Sequence, residues 1–452
     1  MQFEGKELAI AARGVCVADG ISGDICTDTR KIKKGDWFLA IVGDNFDGHN
    51  FCNKAKEMGI AGVIGQHVPD NWDIGFVRVA DSVVALQNIA RYIRKKYTGH
   101  VIAITGSAGK TTTRALVASV LQKQGSVLAT QGNFNNHLGL PLTILRSSLD
   151  EQFWVLELGM NHLGEIQLLQ EIAQPHMRII TNVGAAHLEG VGSLDGVAKA
   201  KGEIFDGARV GDLCIQNADD KRIMNHPIPN GTRTLRFGHT EQSDIQIVSA
   251  TIDVDTLHTN ISIQTPKGRL DCSLRSPGLH LASNVAIAVC VGLEGNCSLA
   301  EIKKGVEEYE PVGARLRVED GPCQTKILND AYNANPLSMR ASLQTLSQLK
   351  GYTRIALLGD MLELGAGEIA AHQEIIKMAL SLSIEKIGVS GSIFSQAAIE
   401  LGLSSSDSFF FAEDAQSLGQ KIKKHITGGE VLLLKGSRGS KMEKLIPELE
   451  GS

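Results

Sequence analysis

A glycine-rich loop between an apolar strand and a helix constrains this chain more than any other feature. The strand is predicted at 101–105, and a helix with an apolar face begins after the loop. The loop consists of Gly106, Ser107, Ala108, Gly109, Lys110, Thr111 and Thr112. Glycines let backbone N–H groups approach phosphate oxygens, and a helix N-terminus adds partial positive charge. The pattern predicts a nucleotide-binding loop in which Lys110 reaches the terminal phosphates and the Thr111 hydroxyl binds Mg²⁺.

The loop departs from the usual spacing and does not fix a function by itself. The common form G-x-x-x-x-G-K-[ST] needs glycine at 104, where this chain has Ile104, so the loop is a shortened variant. GTPase switches, motors, kinases and ligases all carry such loops. The Asn53-Lys54 pair precedes the loop and lacks the Asp of a guanine-reading motif, which weakens the GTPase alternative.

Composition excludes several classes of protein. The 452 residues suggest about three domains, and 43% apolar with 21% charged residues is typical of globular chains. A net charge of -5 provides no basic field for a nucleic-acid backbone, so we predict no nucleic-acid partner. The sequence has no apolar run of about 18 residues and no Cys-x-x-Cys pair. We therefore expect free thiols, a cytoplasmic location and no membrane partner. We also expect a monomer, although no sequence feature fixes the oligomeric state.

The rhythm of strands and helices predicts an α/β fold with three domains. A small N-terminal α/β domain is predicted at 1–80, a central domain with the phosphate loop at 81–312, and a Rossmann-like sheet at 313–452. Alternating apolar residues at 244–275 predict an antiparallel hairpin that flanks the central parallel sheet, and a helix is predicted at 82–96. Parallel strands are predicted at 101–105, 127–130, 153–157, 178–181, 326–328, 354–358, 385–389 and 431–434. The stretch 219–243 gives no clear pattern.

Three side chains outside the loop are candidates for metal chemistry. Glu157 stands at the carboxyl end of the strand 153–157, where ligands collect in parallel sheets, and it is a candidate Mg²⁺ ligand. His187 follows a strand end, and Lys201 lies among apolar residues on a short helix. Each has a plain alternative, namely a solvated glutamate, a structural histidine, or a lysine whose stem packs on apolar surface.

Several strings stand in the order found in the Mur ligases of peptidoglycan synthesis, and the chain resembles that family. They are 105–112, Glu157-Leu158-Gly159, His187-Leu188-Glu189-Gly190, Ala200-Lys201-Gly202-Glu203-Ile204-Phe205 and Gly313-Ala314-Arg315-Leu316. The resemblance implies that ATP and Mg²⁺ are the cofactors. It further implies that Thr111 and Glu157 hold one Mg²⁺, and that His187 and Lys201 hold a second, the lysine as a carbamate.

The ends of the chain narrow the resemblance to one branch of the family. The string Thr27-Asp28-Thr29-Arg30 is similar to a UDP-sugar-binding domain shared with the branch that adds diaminopimelate or lysine. That branch recognises its amino acid with Asp-Asn-Pro-Arg, whereas this chain has Ala334-Asn335-Pro336-Leu337. Strings at 330–336, 359–365 and 435–438 instead resemble the branch that joins D-alanyl-D-alanine to UDP-N-acetylmuramoyl-tripeptide. These two molecules are the substrates that the resemblance implies.

The resemblance assigns site residues position by position. The implied catalytic residues are Lys110, His187, Lys201 and Arg315. The implied ATP contacts are Gly106, Ser107, Ala108, Gly109, Lys110, Thr111, Thr112, Asn284 and Arg315. The implied substrate contacts are Thr29, Arg30, Asn135, Asn136, Asp330, Tyr332, Asn333 and Asn335. The family pattern Gly-x-His-Asn-x-x-Asn has Leu281 at its first Asn here, so only Asn284 is carried over.

The implied reaction activates a carboxylate with ATP. The tripeptide carboxylate attacks the γ-phosphorus to give an acyl phosphate, which the incoming amine converts to an amide. Two alternatives stay open on the sequence alone. One is a ligase that adds a free amino acid by the same chemistry, and the other is a regulatory or transport NTPase. Phosphate release measured with each candidate substrate separates the three.

Overall fold

The computed structural model describes residues 1–43 and 45–450, and it falls into two compact units. The first comprises Met1–Ala103, Gly125–Gly159 and Glu165–His176, and the second comprises Ile104–Gln124, Met160–Gly164 and Met177–Ser452. Since the units interleave separate segments, the predicted domain limits at 80 and 312 stay predictions. No helix in the described part of the chain combines the length and the apolar character needed to cross a lipid bilayer.

The segment before residue 97 forms a small sheet flanked by helices. The helices are α1 (Gly5–Ala12), α2 (Cys52–Glu57) and α3 (Ser82–Lys96). The strands are β1 (Val15–Ala18), β2 (Ile25–Cys26), β3 (Trp37–Leu39), β4 (Val42–Gly43), β5 (Phe46–Asp47), β6 (Gly62–Gly65) and β7 (Gly75–Arg78). The sheet order is β1-β7-β6-β3-β2, in which β1 pairs antiparallel with β7 and the other pairs are parallel. Strands β3 and β6 are buried throughout, as both-sided burial in a parallel sheet requires.

Helix α3 begins and ends at the residues that the sequence predicted. Asp81 caps its N-terminus, where the side-chain oxygen accepts hydrogen bonds from the N–H groups of Val83 (2.7 Å) and Val84 (2.9 Å). Three basic residues in its last turn interact favourably with the helix dipole. Local capping chemistry and the apolar face thus agree on the same boundaries.

The middle of the chain alternates strands and helices around the phosphate loop. The strands are β8 (His100–Thr105), β9 (Val127–Ala129), β10 (Phe153–Glu157), β11 (Met177–Ile180), β12 (Leu213–Asn217), β13 (Arg233–Gly238), β14 (Ile245–Asp253), β15 (His258–Thr265) and β16 (Gly268–Leu274). The helices are α4 (Lys110–Leu121), α5 (Gly139–Ile144), α6 (Glu165–Ala173), α7 (Leu188–Val191), α8 (Leu194–Asp206), α9 (Lys221–Met224), α10 (Leu281–Glu294) and α11 (Leu299–Glu307). In the first unit β9 and β10 pair in parallel. In the second unit β11, β12, β13 and β14 pair in parallel in that order.

The predicted antiparallel hairpin is confirmed. Strands β15 and β16 pair antiparallel and close at Thr265 and Gly268, and β14 adds a further antiparallel partner to β15. The unclear stretch 219–243 contains α9 and β13. The first four residues of β13 are exposed or half-buried, so no apolar run announces that strand in the sequence.

The C-terminal segment forms the predicted Rossmann-like sheet. Its strands are β17 (Arg317–Asp320), β18 (Lys326–Asp330), β19 (Thr353–Gly359), β20 (Lys386–Ser390), β21 (Phe409–Ala412) and β22 (Glu430–Lys435). Its helices are α12 (Pro336–Gln348), α13 (Glu368–Ser381), α14 (Ser392–Glu400), α15 (Ala415–Lys423) and α16 (Leu445–Glu450). The order is β17-β18-β22-β19-β20-β21, parallel except for the edge strand β17. The sequence analysis missed β17, which is polar and partly exposed, and β21, which is short and follows a serine-rich stretch.

Replacing Asp81 by Ala is expected to destabilise the first turn of α3 by about 1 kcal/mol, because two N–H groups lose their acceptor. Native-state hydrogen exchange of the Val83 and Val84 amides should then quicken about five-fold. The Asp81→Asn variant keeps an acceptor oxygen and serves as the control. Equal exchange in Asp81→Ala and the parent chain would contradict the capping role.

Candidate active site around the phosphate loop

The phosphate loop needs glycine at two positions. Gly106 has φ +152° and Gly109 has φ +80°, conformations that side chains other than glycine rarely adopt. A Cβ on Gly106 would also collide with the Thr181 hydroxyl. Lys110 is the first residue of α4, and its Nζ donates a hydrogen bond of 2.8 Å to the Gly106 carbonyl oxygen. The predicted strand, loop and helix are therefore present, with Lys110 lying across the loop.

The chain just after β11 holds the loop in place. The Ser107 N–H donates to the Asn182 carbonyl oxygen (3.1 Å), and the Ala108 N–H donates to the Asn182 side-chain oxygen (2.9 Å). The Ala108 carbonyl oxygen accepts from Asn182 Nδ2 (3.1 Å) and from the Thr181 hydroxyl (2.7 Å). The Ser107 hydroxyl donates to the Gly184 carbonyl oxygen at 2.9 Å. Asn182, to which the sequence analysis gave no role, thus fixes the path of the loop.

Other predicted ATP contacts lie beside the same loop. Thr111 and Thr112 are buried in the first turn of α4. Asn284, on α10, is buried and its Nδ2 donates to the Gly109 carbonyl oxygen at 3.3 Å. The structure therefore brings Asn284 to the loop, and its contact with a nucleotide stays a prediction.

Lys201 is a buried lysine near the loop. It lies in α8 and is 1% exposed, and the flanking Ala200, Ile204 and Phe205 are fully buried. Burial, and secondarily the charge of Lys110, lower the pKa of Lys201 well below its usual value. The burial that the sequence led us to expect is present. A neutral amine is the form that adds CO₂, so the environment suits the predicted carbamate.

Arg178, on β11, anchors the end of the helix that carries Lys201. Its guanidinium donates to the carbonyl oxygens of Ile204 (2.9 Å) and Gly207 (2.7 Å) and pairs with Asp212 at 3.2 Å. Arg178 is buried, and that burial lowers the pKa of its guanidinium. The last turn of α8 is therefore fixed to the strand that also supports the loop. The sequence analysis did not identify this residue.

His187 stands directly before α7 and pairs with Glu363. Its backbone is left-handed at φ +55°, and its Nδ1 lies 3.0 Å from a Glu363 carboxylate oxygen. Burial, followed by the charges of Lys110 and Lys201, lowers the pKa of His187, while Glu363 opposes that shift. Three predicted catalytic residues, Lys110, His187 and Lys201, thus lie near enough for their charges to influence one another.

The predicted metal ligand Glu157 lies in the first unit, at the end of β10. It is buried, and its carboxylate accepts a hydrogen bond of 2.8 Å from Asn135 Nδ2. Its backbone N–H donates to the Thr130 hydroxyl at 3.0 Å. Asn136 accepts from the N–H groups of two residues at the start of α5. Two predicted substrate residues therefore also have structural partners, and their substrate contacts stay predictions.

Asp330, at the end of β18, is held from several sides. Its Oδ2 accepts from Lys435 Nζ (2.6 Å) and from the Ser342 hydroxyl (2.7 Å), and its Oδ1 accepts from the Leu316 N–H (3.2 Å). Lys435 also donates to the Asn333 carbonyl oxygen at 3.1 Å. Both carboxylate oxygens of Asp330 thus have protein donors, and its predicted role in substrate binding stays untested.

Arg315 and Tyr332 are brought together. The Arg315 guanidinium lies 3.9 Å from the centroid of the Tyr332 ring, a cation–π contact, and the Tyr332 N–H donates to the Ala314 carbonyl oxygen at 3.0 Å. Asn335 caps α12, and its Nδ2 donates to the Ser107 carbonyl oxygen at 3.2 Å. Asn335 therefore links the start of α12 directly to the phosphate loop.

The N-terminal candidates Thr29 and Arg30 share one turn. The Arg30 guanidinium donates twice to Asp28, from Nε at 2.9 Å and from Nη2 at 2.8 Å. These hydrogen bonds hold the pKa of Asp28 down to about 2. Both candidates lie in the first unit, and the UDP-sugar contact predicted for them stays a prediction.

The candidate Mg²⁺ ligands are a hydroxyl, a carboxylate, an imidazole and a lysine. Within 1–43 and 45–450, no group of three His, Cys, Asp or Glu side chains lies close enough together to bind a metal. The predicted sites do not require one, because Mg²⁺ binds nucleotide sites through one or two side chains, substrate phosphates and water. Lys201 with a lowered pKa and His187 with Nδ1 facing a carboxylate fit that kind of site.

Three family models match successive segments of the chain. They describe the Mur ligase family catalytic domain (residues 24–97), the Mur ligase middle domain (104–292) and the Mur ligase glutamate ligase domain (314–438). These segments contain all of the predicted site residues described above.

Named relatives and solved structures agree with these matches. The UDP-N-acetylmuramoyl-tripeptide–D-alanyl-D-alanine ligase of Escherichia coli is 35% identical over 94% of this chain and 93% of its own, and that of Bacillus subtilis is 33% identical over 94% and 92%. A crystal structure of MurF from Acinetobacter baumannii superimposes with a TM-score of 0.90 at 31% identity, covering 100% of this chain and 99% of its own. MurF from Thermotoga maritima in complex with ADP gives 0.85 at 26% identity, covering 95% and 97%. The chain belongs to the Mur ligase family.

Proposed function

We propose that this chain is an ATP-dependent ligase that joins D-alanyl-D-alanine to UDP-N-acetylmuramoyl-tripeptide in peptidoglycan precursor synthesis. One observation carries the proposal. A buried lysine, Lys201, lies beside a phosphate loop. The chain that carries it aligns over nearly its full length with the UDP-N-acetylmuramoyl-tripeptide–D-alanyl-D-alanine ligase of Escherichia coli. A regulatory NTPase has no evident need for a buried lysine poised to be neutral.

The chemistry starts from a carboxylate that no amine can attack until its oxygen becomes a leaving group. The terminal carboxylate of the tripeptide attacks the γ-phosphorus of ATP, the bond to ADP breaks, and an acyl phosphate forms. Lys110, at the start of α4, offsets charge on the phosphate oxygens, and the N-terminus of that helix adds to the effect. Arg315, held over Tyr332, contributes a second fixed cation.

The second half of the reaction forms the amide. The neutral amine of D-alanyl-D-alanine attacks the acyl carbon. The tetrahedral intermediate then loses a proton from nitrogen to solvent, and the bond between the acyl carbon and the phosphate oxygen breaks, which releases phosphate and leaves the amide. The chain supplies positioning and charge rather than a nucleophile, which is the usual source of catalysis in phosphoryl transfer. Asp330, Tyr332, Asn333 and Asn335 are the proposed contacts to the peptide substrates, with Asn135 and Asn136 beside the muramoyl-peptide.

Magnesium is the proposed cofactor, and it would neutralise charge on the phosphates of ATP. We assign one ion to Thr111 and Glu157 and a second to His187 and Lys201. Lys201 would become an oxygen ligand when its neutral amine adds CO₂ and releases a proton to solvent, because the resulting carbamate is an anion. The lowered pKa of Lys201 supports this step, since little neutral amine exists near pH 7 for an ordinary lysine.

The arrangement along the chain completes the proposal. A domain at 1–80 with Thr29 and Arg30 binds the UDP-sugar, a domain at 81–312 binds ATP, and a domain at 313–452 brings the amine to them on closure. The enzyme acts as a monomer in the cytoplasm, without nucleic-acid or membrane partners. The hydrogen bond from Asn335 to Ser107 supports a closed form in which α12 touches the phosphate loop.

Phosphate release is expected only when UDP-N-acetylmuramoyl-tripeptide and D-alanyl-D-alanine are both present, because the acyl phosphate needs an amine to resolve it. Colourimetric phosphate assays should be run with D-alanyl-D-alanine, D-alanine, lysine and diaminopimelate. Free lysine or diaminopimelate matching D-alanyl-D-alanine would favour the amino-acid-adding alternative. Turnover of ATP without either substrate would favour a regulatory NTPase.

Replacing Lys201 by Ala or Arg is expected to lower kcat about 100- to 1000-fold, because a group that stabilises charge in the transition state is lost. Arginine should not substitute, since a guanidinium stays charged and cannot form a carbamate. Short carboxylic acids should partly restore the Ala variant. In the parent chain, ¹³C-labelled CO₂ should give a carbamate NMR signal that Lys201→Arg lacks. Retained activity in Lys201→Arg would overturn the carbamate.

A further inference from the structure

We propose that Glu363 is a positioning residue of the active site, whose carboxylate holds the His187 imidazole in one tautomer and one orientation. This inference rests on the proposed function, because it gives His187 a task in that site. The observation behind it is the 3.0 Å distance between His187 Nδ1 and Glu363 Oε2. The sequence analysis noted the string around Glu363 but gave this residue no role.

The loop that carries Glu363 is fixed residue by residue. It follows β19, and the Asp360 carboxylate accepts from the N–H groups of Ile393 (3.2 Å) and Phe394 (2.8 Å) at the start of α14. The next N–H, that of Met361, donates to His372 Nε2 at 2.9 Å. These contacts tie the beginning of the loop to two helices.

The residue directly before Glu363 is also held. The Leu362 N–H donates to the Ser437 hydroxyl at 2.9 Å, and the Ser437 N–H donates to the Asp360 carbonyl oxygen at 3.0 Å. The three residues 360–362 therefore each have a partner outside the loop. Glu363 is thus presented from a rigid base, although its own side chain is 63% exposed.

The backbone at both ends of the pair is strained. Glu363 has φ +65° and His187 has φ +55°, and both are non-glycine residues in the left-handed region. Such conformations persist when the surroundings over-determine them, and they concentrate at functional sites. Two strained residues that face each other at hydrogen-bond distance are better explained by a shared task than by two unrelated turns.

The chemistry of the pair defines that task. An ionised carboxylate only accepts hydrogen bonds, so the proton of the imidazole lies on Nδ1. In the neutral ring the lone pair is then on Nε2, which is the atom that can bind a metal. Carboxylate partners of this kind orient metal-binding histidines and raise their basicity. Among the residues that the structure describes, Glu363 is the recorded partner of Nδ1 of His187, the proposed Mg²⁺ ligand.

A second carboxylate–histidine pair supplies a matched control. Asp206 Oδ1 lies 2.8 Å from His226 Nε2, with side chains 58% and 15% exposed, close to the 63% and 24% of Glu363 and His187. We have given neither Asp206 nor His226 a part in the reaction. Asp206→Asn therefore removes a similar charge at a similar depth from a pair to which the proposed reaction assigns no role.

The test uses the full-length variants Glu363→Ala, Glu363→Gln and Asp206→Asn. The His187 tautomer is read from long-range ¹H–¹⁵N spectra of chains with ¹⁵N-labelled histidine, assigned with His187→Gln. In Glu363→Ala we expect the His187 signals to leave the Nδ1–H pattern. We expect Mn²⁺ affinity, measured by electron paramagnetic resonance with a non-hydrolysable ATP analogue, to fall about 10-fold or more. Glu363→Gln keeps an acceptor oxygen, so its Mn²⁺ affinity should lie between those of the parent and Glu363→Ala. The Mn²⁺ affinity of Asp206→Asn should match the parent.

Steady-state kinetics separate positioning from substrate binding. The proposal expects Glu363→Ala to lower kcat while KM for D-alanyl-D-alanine stays within about two-fold of the parent. A raised KM with an unchanged His187 tautomer would make Glu363 an anchor for the incoming ammonium and overturn the proposal. If the Glu363→Ala variant keeps the parent's His187 tautomer, Mn²⁺ affinity and kinetics, the pair is only a surface contact, and the proposal is also overturned. If the parent chain shows no turnover with the dipeptide, the proposed function fails, whereas the tautomer and Mn²⁺ measurements still decide the role of Glu363.

Discussion

The backbone path of the phosphate loop is the constraint on which the site depends. Gly106 must pass so close to Thr181 that no side chain fits, and Gly109 must turn left-handed for α4 to begin at Lys110. Asn182 then uses its backbone oxygen and both side-chain polar atoms on two consecutive loop residues. These hydrogen bonds join the loop to the chain after β11. The side chains and helices that contact β11 are therefore held at a fixed position relative to the loop.

Helix α8 shows how that placement extends to the lysine. The side chain of Arg178 extends from β11 and donates hydrogen bonds to the carbonyl oxygens at the end of α8. Any sliding of the helix along the sheet would break these hydrogen bonds. A buried guanidinium is costly unless its donors are satisfied, which makes this anchor specific. The position of Lys201 near Lys110 is therefore set by the anchoring of α8, and not by a bond between the two lysines.

The fold was predictable wherever the signal was local. The apolar face alone predicted helix α3 to the residue, and its cap Asp81 and its basic last turn lie in the same short segment. The loop was predictable for the same reason. The edge strand β17 was not, because it is half-exposed and polar, and its pairing with β18 is set by the sheet rather than by its own residues.

The site was predictable only in part, and the misses share a cause. Each missed residue contacts a partner that is distant in the sequence; they are Asn182, Arg178 and Glu363. An isolated Asn, Arg or Glu belongs to no sequence pattern that predicts such a contact. A strand end near residue 182 gave a weak hint of a ligand-side position, but not of a bond to Ala108. Family resemblance could name Lys201 and His187 because their neighbours form strings, whereas their supporting partners lie on other elements.

Several groups in the site can carry positive charge, and burial makes that charge unfavourable. Burial, followed by the charges of Lys110 and Lys201, lowers the pKa of His187, and burial, followed by the charge of Lys110, lowers the pKa of Lys201. Positive charge on this buried cluster of the second unit is therefore unfavourable. Such a cluster is relieved by an anion, and a triphosphate or an acyl phosphate provides one. It is also relieved if the neutral amine of Lys201 adds CO₂ and releases a proton, because the proposed carbamate carries a negative charge. Under the proposed function, a carbamate on Lys201 would therefore make this part of the site attract a divalent cation rather than repel it.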